Sequence, residues 1–248
     1  MESDLGTKGG SPDPFVRFSK PQRVKGAMNA IVRITAIALL LIVPAGCGWF
    51  QSSAEEKTAD RLIAEGMGHF EDGKYRRSIE SFRQLKDWYP FNKYAILAEL
   101  KLADAHYRLK EYEDAIYAYE EFERLHPRNE AVPYVIYQIG SCYVAQMNSI
   151  DRDQTAVRKA LETDRRLVRM FPDDPYAEKA RDRIRICQRN LAEHEFYVGM
   201  FYFKGRQYEP ALNRFKTVLS EFPDAGIHHK ALQYIARCQA RLEGNPSE

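Results

Sequence analysis

The stretch GMGHFEDGKYRRSIESF, residues 66–82, contains the pattern that decides the fold. In it Gly66 is followed by a second small residue, Ser78, and then by the aromatic Phe82, and the segment closes at Pro90. Three further segments repeat the two small residues and the closing proline; their small residues are Ala103 with Ala115, Gly140 with Ala160, and Gly199 with Ala211. Their closing prolines are Pro127, Pro172 and Pro223. One pattern that recurs along a chain indicates a repeat protein.

Each segment predicts two antiparallel helices. Small residues are expected where the two helices cross, because they allow close backbone approach, and aromatic residues at helical spacing fill the core. The prolines end the second helix, since proline lacks an amide proton and disfavours helix in the residue before it. Gly73 and Gly205 fit the turns between the helices. No run of strict apolar and polar alternation competes with this pattern, so we predict an all-α protein.

The pattern resembles the tetratricopeptide repeat. The resemblance implies a solenoid of about four full repeats, followed by a C-terminal capping helix from His228 to about Leu242, which Gly244 would end.

Two irregularities interrupt this array. The third repeat has about eight additional residues, 148–155, in which Asp153 and Thr155 are candidate helix caps. The charged run at 177–191 predicts a first helix of repeat four that is much longer than usual.

The N-terminal part of the chain predicts export. Basic residues precede an apolar run, residues 34–43, that is too short to span a bilayer. Ala45–Gly46–Cys47 resembles a bacterial lipobox, although Pro44 stands where that motif has leucine; the resemblance implies lipidation of Cys47 and a membrane anchor. The alternative is a plain signal peptide with a cysteine nearby by chance. Translation can start at Met1 or at Met28.

Charge and cysteine content narrow the function. Six of the 37 basic and three of the 35 acidic residues precede Cys47, so the remainder carries about one net negative charge. This balance argues against nucleic acid as a partner. Beside Cys47 the chain has three cysteines, an odd number, so at least one is predicted to be free; for Cys142 we expect a buried thiol.

No catalytic or metal-binding motif is recognisable in the sequence. The six histidines form no ligand pattern, and there is no nucleophile elbow or phosphate-binding loop. We therefore predict a protein that is not an enzyme and needs no cofactor.

Several short motifs, in order along residues 44–243, make the chain similar to the BamD family of outer-membrane β-barrel assembly lipoproteins. They are the lipobox, Trp88–Tyr89–Pro90–Phe91, Asp151–Arg152–Asp153, Glu195–Phe196–Tyr197–Val198 and Asn213–Arg214. The resemblance implies a lipid anchor in the outer membrane, facing the periplasm. It also implies binding to the periplasmic domain of BamA, to other assembly-machine lipoproteins and to unfolded outer-membrane proteins.

The resulting division of the chain has five parts. We expect a disordered extension (1–27), a lipoprotein signal peptide (28–46), a lipid tether (47–57), repeats one and two as the substrate end (58–128), and repeats three and four with the capping helix as the partner end (129–243). An alternative function is a tetratricopeptide pilotin or cell-envelope organiser. Such a protein would be expected to have more uniform repeats.

The resemblance also implies two protein-binding sites. Phe91 and Tyr94, at the junction of repeats one and two, are candidate substrate-binding residues; alternatively, they only pack the junction. Arg214 matches a family arginine that pairs with an acidic residue of BamA. The alternative is a solvated or intramolecular ion pair, for instance with Glu209 or Glu221.

Overall fold

The computed structural model describes residues 57–223 and 225–244. Cys47, the signal peptide, the N-terminal extension and most of the predicted tether lie outside these residues. Within them the chain forms nine helices and no strand, which confirms the all-α prediction. The helices are α1 (Ala59–Glu71), α2 (Tyr75–Trp88), α3 (Ala95–Arg108), α4 (Tyr112–Leu125), α5 (Val132–Ala145), α6 (Thr155–Met170), α7 (Pro175–Lys204), α8 (Tyr208–Glu221) and α9 (His228–Leu242).

The helices pack as sequential antiparallel pairs, each against the next along the chain. The predicted crossing points are confirmed: the Ser78 hydroxyl donates to the Gly66 carbonyl over 2.9 Å, and a Cβ atom at Gly66 would collide with the Phe82 ring. Gly199 lies against Phe215 in the same way. Helices α2, α4, α6 and α8 each end two residues before a proline, as the sequence predicts. Helix α9 has the predicted bounds of the capping helix. Among the described residues no helix has both the length and the apolar composition needed to cross a bilayer.

Gly73 and Gly205 both lie in turns between helices, as predicted, but only Gly73 is left-handed. Gly73 adopts a left-handed conformation with φ of 72°, which glycine tolerates well. Gly205 lies in a turn but has φ of −76°; the left-handed residue there is its neighbour Arg206, with φ of 58°. Lys110 takes the same position in repeat two, with φ of 62°. In repeats one, two and four the left-handed residue is the second one after the first helix, whether it is glycine, lysine or arginine, so turn geometry and not residue type selects it.

Both irregularities of the array are present. Helix α7 is 30 residues long, which confirms the predicted extension. The inserted residues form a loop before α6, where the Asp153 carboxylate accepts the backbone amide of Thr155 over 3.0 Å. Thr155 itself is not a cap, because its hydroxyl donates to Asp153. The imidazole Nδ1 of His194, in α7, lies 2.6 Å from the Ile150 carbonyl oxygen and holds the loop against the solenoid.

The third repeat contains a buried ion pair at the site where the others have an aromatic ring. Asp164 follows Ala160 by four residues, the spacing that gives Phe82 and Phe215 in their repeats. Its carboxylate is fully buried and accepts from the Arg183 guanidinium, with a 2.6 Å bond to Nε. The guanidinium fills the space beside Gly140 and stacks over the Tyr137 ring at 4.2 Å. In the middle of the solenoid the Asp164–Arg183 ion pair thus takes the place of the aromatic packing found in the other repeats.

The three cysteines of the described solenoid are all free and buried, which confirms the buried thiol predicted for Cys142. Burial raises the pKa of the Cys142 thiol to about 12 and that of Cys187 to about 11. Both therefore remain protonated, and inert as nucleophiles, near neutral pH.

Candidate functional site

The turn between α2 and α3 presents Phe91 to solvent. The Asn92 backbone amide donates to the Tyr89 carbonyl over 3.0 Å, and the Asn92 side chain accepts the Tyr94 amide over 3.0 Å. These bonds fix a compact turn, and the Phe91 side chain at its tip is fully exposed. The alternative that Phe91 packs the repeat junction therefore does not describe this residue.

Tyr94 occupies a different environment. It is half-buried and packs against the first core cluster, which includes Leu62, Phe82 and Ala98. The Lys93 ammonium lies 4.7 Å from the centroid of its ring. Tyr94 thus contributes to the core of the junction while part of its surface stays accessible. The two candidate substrate residues lie on one turn but have unequal structural roles.

A cleft of about 340 Å³ lies on the first helices of repeats one to three, and sequence reasoning did not identify it. Its lining residues are Phe70, Lys101, Asp104, Tyr107, Arg108, Tyr134, Tyr137, Gln138 and Ser141. The Asp104 carboxylate is nearly buried and accepts the hydroxyls of Tyr119 and Tyr134 over 2.7 Å each and the Lys101 ammonium over 2.8 Å. Burial, and then the Asp104 charge, raises the pKa of both phenols, so they stay donors. This network gives the cleft a rigid polar floor.

Arg214 is half-exposed, and its guanidinium Nη1 donates to the Glu195 carboxylate over 2.8 Å. The intramolecular partner is therefore neither Glu209 nor Glu221 but an acidic residue of α7. Glu195 is almost completely buried, and Arg158 of α6 approaches its other oxygen at 3.7 Å. One carboxylate thus serves two arginines, and the cluster retains a net positive charge.

One group of possible metal ligands occurs in the described solenoid, at the turn of repeat two. Ligand atoms of His106, Glu111 and Asp114 lie within 4.8 Å of one another. However, Glu111 already accepts from His106 over 2.8 Å and from Arg76 over 2.9 Å. These bonds account for the arrangement without an ion.

Comparisons with known proteins cover most of this chain. A family model described as "YfiO: Outer membrane lipoprotein" matches residues 55–246. Three curated relatives are all outer-membrane protein assembly factors BamD. The protein of Caulobacter vibrioides is 30% identical over 66% of this chain, and the match spans about half, 54%, of that relative. The protein of Pasteurella multocida is 24% identical over 88% of this chain and 87% of the relative. The protein of Vibrio cholerae is 26% identical over 81% of this chain and 86% of the relative.

Among solved structures, the TPR2AB domain of yeast Sti1, from its complex with pHSP90, is similar at 17% identity with a TM-score of 0.42. That match covers 74% of this chain and 70% of the other.

Proposed function

Because this chain belongs to the outer-membrane lipoprotein family that includes the BamD assembly factors, we propose that it is a lipid-anchored scaffold subunit of the outer-membrane β-barrel assembly machine. The family match across the entire described solenoid carries this proposal. The proposed anchor is a lipid on Cys47, and the solenoid then faces the periplasm. Its proposed partners are the periplasmic domain of BamA, other lipoproteins of the machine and unfolded outer-membrane proteins. It acts as a binding scaffold, not as an enzyme, and uses no cofactor.

The irregular third repeat supports this function over that of a pilotin or envelope organiser. A protein built only to present a regular groove has no need for the loop at 146–154 or for a 30-residue helix. Purification from native membranes in mild detergent, with identification of the partners that co-purify, tests the choice directly. Recovery of a secretin without any BamA would contradict the proposal. The anchor has its own test: Cys47→Ala should leave the protein in the soluble periplasmic fraction or as an uncleaved precursor.

At the partner end we propose that Arg214 binds an acidic residue of BamA. The Arg214 side chain is 43% exposed, and the buried Glu195 holds its guanidinium in a fixed orientation. A planar guanidinium can bind a second carboxylate with its free edge, which an ammonium cannot do in the same bidentate way. Loss of a desolvated interfacial pair costs about 2–5 kcal/mol.

The pairing with Glu195 determines which substitution tests this proposal. A charge reversal at Arg214 would place a second carboxylate beside the buried Glu195, so it would test folding more than binding. Arg214→Gln is the cleaner change, and Arg158→Gln is its matched control, because Arg158 contacts the same carboxylate from α6. We expect Arg214→Gln to weaken binding of the BamA domain by at least about tenfold, with Arg158→Gln close to wild type. Equal losses in both variants would mean that the effect comes from Glu195 and not from a contact of Arg214.

At the substrate end we propose that Phe91 and Tyr94 bind an extended segment of an unfolded barrel protein. A barrel strand carries aromatic side chains at alternate positions, and an exposed ring beside a half-exposed one offers two contacts for such a segment.

Phe91→Ser provides the sharper test of this site, because a fully exposed side chain can be removed without cost to the core. We expect weaker photo-crosslinking to a barrel-strand peptide at unchanged thermal stability. Tyr117→Ser is the matched control, since Tyr117 is 70% exposed in the middle of α4. Crosslinking that falls equally in both variants, or in neither, would argue against the site.

A further inference from the structure

A second pattern recurs in the repeats and is not explained by helix packing. Helices α2, α4 and α6 each end in a large apolar residue, two positions before the closing proline. These residues are Trp88, Leu125 and Met170, and their side chains are 51%, 44% and 52% exposed. At the corresponding position α8 ends in Glu221. Three consecutive repeats therefore present a large apolar side chain to solvent from the same structural position.

The contacts between neighbouring helices place these three side chains along one edge of the solenoid. His126, directly after α4, bonds Glu99 near the start of α3 over 2.6 Å, so the end of α4 lies beside the α2–α3 turn. Tyr176, at the start of α7 and just beyond α6, packs on Tyr134 near the start of α5 at 5.4 Å between ring centroids. In an antiparallel array the starts of the first helices and the ends of the second helices share an edge. We call Trp88, Leu125 and Met170 the apolar edge.

The chain enters the solenoid at this same edge. The Tyr89 hydroxyl donates to the carbonyl of Lys57 over 3.0 Å, and Tyr89 is the immediate neighbour of Trp88. The start of the described chain is thereby fixed beside the apolar edge. Cys47 precedes Lys57 by ten residues, which can span at most about 35 Å when fully extended. A lipid on Cys47 would therefore keep the apolar edge within about 35 Å of the bilayer.

We propose that the apolar edge rests in the interfacial layer of the membrane and forms a second membrane contact in addition to the lipid. This inference rests on the lipid anchor of the proposed function. Tryptophan is enriched at membrane interfaces, and peripheral proteins commonly combine a lipid with a second membrane-binding element. Three separate side chains from successive repeats suit a fluid lipid surface, which offers no fixed shape to match.

The charges along the edge are balanced, and this sets a further expectation. Exposed charges of both signs lie near the apolar edge in nearly equal number: Lys93, Arg124, Arg128 and Arg169 against Asp87, Glu130 and Asp173. Apolar insertion, and not attraction to anionic lipid, must therefore provide the contact. We expect the contact to be insensitive to salt, because screening weakens only interactions between charges.

The consequence for the substrate site is direct. Phe91 follows Trp88 by three residues, on the turn beside the apolar edge. A barrel protein bound at Phe91 and Tyr94 would thus be held next to the lipid into which it inserts. We thus assign Trp88 to the lipid and Phe91 to the substrate, and each residue can be tested by its own substitution.

Trp88 can report on its own surroundings, because the chain has only two tryptophans, Trp49 and Trp88. In the full lipidated chain, Trp49→Phe leaves Trp88 as the single reporter. The protein is placed on vesicles of phosphatidylethanolamine and phosphatidylglycerol that carry brominated acyl chains, at low and at high salt. We expect Trp88 emission to shift to shorter wavelength, to be quenched by the brominated lipid and to be shielded from acrylamide, at both salt concentrations. The matched control carries Tyr117→Trp in a chain without the other two tryptophans, and its emission should remain that of an exposed residue.

Two variants test the remaining members of the edge. Leu125→Gln combined with Met170→Gln should reduce lipid quenching of Trp88, because two of the three inserting side chains lose their apolar character. Tyr117→Gln, which removes an exposed aromatic side chain away from the edge, should not change it. Unchanged quenching in the double variant would overturn the three-residue contact.

Three results would overturn the proposal. If the lipidated chain is bound to vesicles and Trp88 emission equals that of the Tyr117→Trp control, the edge contact is contradicted while the anchor is not. Shielding of Trp88 that requires an unfolded outer-membrane protein would assign Trp88 to the substrate site instead. A mass spectrum of the intact protein that shows no lipid on Cys47 would contradict the anchor and, with it, the edge contact. The mass spectrum therefore distinguishes failure of the proposed function from failure of this inference.

Discussion

Replacement of Arg183 by methionine removes the cation from the buried pair in the third repeat. Arg183 bonds Asp164 through both Nε and Nη2, bonds Ser141 through Nη1 over 2.6 Å, and bonds the Tyr137 carbonyl over 2.9 Å. Asp164 has zero solvent exposure, and within the described solenoid its hydrogen bonds come from Arg183 alone. The substitution therefore leaves a buried carboxylate without a partner.

The structure sets the size of the effect. Breaking a buried ion pair by removal of one partner costs about 3–5 kcal/mol, because the remaining charge is neither solvated nor compensated. Total unfolding free energies are about 5–15 kcal/mol, so the loss is a large fraction of the stability. We expect a clear fall in the urea midpoint, or partial unfolding of the third repeat before the others.

The pH dependence identifies the cause. Burial raises the pKa of the Asp164 carboxyl, and the Arg183 guanidinium acts against this. In the variant only the raising effect remains, so the folded-state pKa lies above the unfolded one. Protonated Asp164 then stabilises the folded state fully at low pH, and this contribution is lost as the pH rises through the folded-state pKa of Asp164. The deficit relative to wild type should accordingly be larger at neutral than at mildly acidic pH.

A paired replacement separates charge from packing. Asp164→Phe with Arg183→Leu restores the arrangement of repeats one and four, where Phe82 and Phe215 lie against a glycine. Exchange of a buried ion pair for apolar residues of similar volume is often neutral or stabilising by about 1–4 kcal/mol. The double variant should therefore be much more stable than Arg183→Met.

Urea unfolding followed by circular dichroism, with reaction of the buried Cys187 thiol as a local probe, measures both variants. Cys187 lies one helical turn beyond Arg183 on α7 and shares a core cluster with Ala160 and Leu161 of α6, so it reports on the packing of α7 against the third repeat. An Arg183→Met midpoint equal to wild type would refute the reasoning. A double variant less stable than the single one would show that the pair is needed for its geometry, not merely tolerated.

The remaining predictions concern the turns and the thiols. Arg206→Gly and Lys110→Gly should each raise the unfolding free energy by about 1 kcal/mol, because both residues have a left-handed backbone conformation that glycine adopts more easily. Gly205→Ala should not destabilise the protein in this way, because Gly205 has a negative φ. Thermal melts would measure these effects, and a destabilised Arg206→Gly variant would contradict the prediction. Cys142 and Cys187 should react with a thiol reagent only after unfolding. Stability should fall as pH rises from about 9 towards about 12, since unfolded thiols lose their protons before Cys142 does. Denaturation curves across that range, compared with those of a Cys142→Ala chain, give the measurement.

The sequence alone determined the class of fold, because the repeat depends on local properties. Small residues at Gly66 and Gly199 mark helix crossings, and the closing prolines end helices, for steric reasons that hold in any surroundings. The long α7 and the capping helix α9 were likewise predictable, since helical periodicity and stop signals are read within one segment. The motifs on which the sequence resembles the family, including Asn213–Arg214 and Trp88–Tyr89–Pro90–Phe91, are also short and local.

Only the tertiary structure decided which charges meet. Arg214 has Glu209 and Glu221 near it in the sequence, yet it bonds Glu195 of another helix. Asp164 and Arg183 are 19 positions apart, and neither residue by itself predicts a buried pair. The angular position of a side chain on its own helix follows from the period of the helix. The residue that faces it depends on how two helices are rotated and shifted against each other, and that arrangement depends on the packing of the whole array.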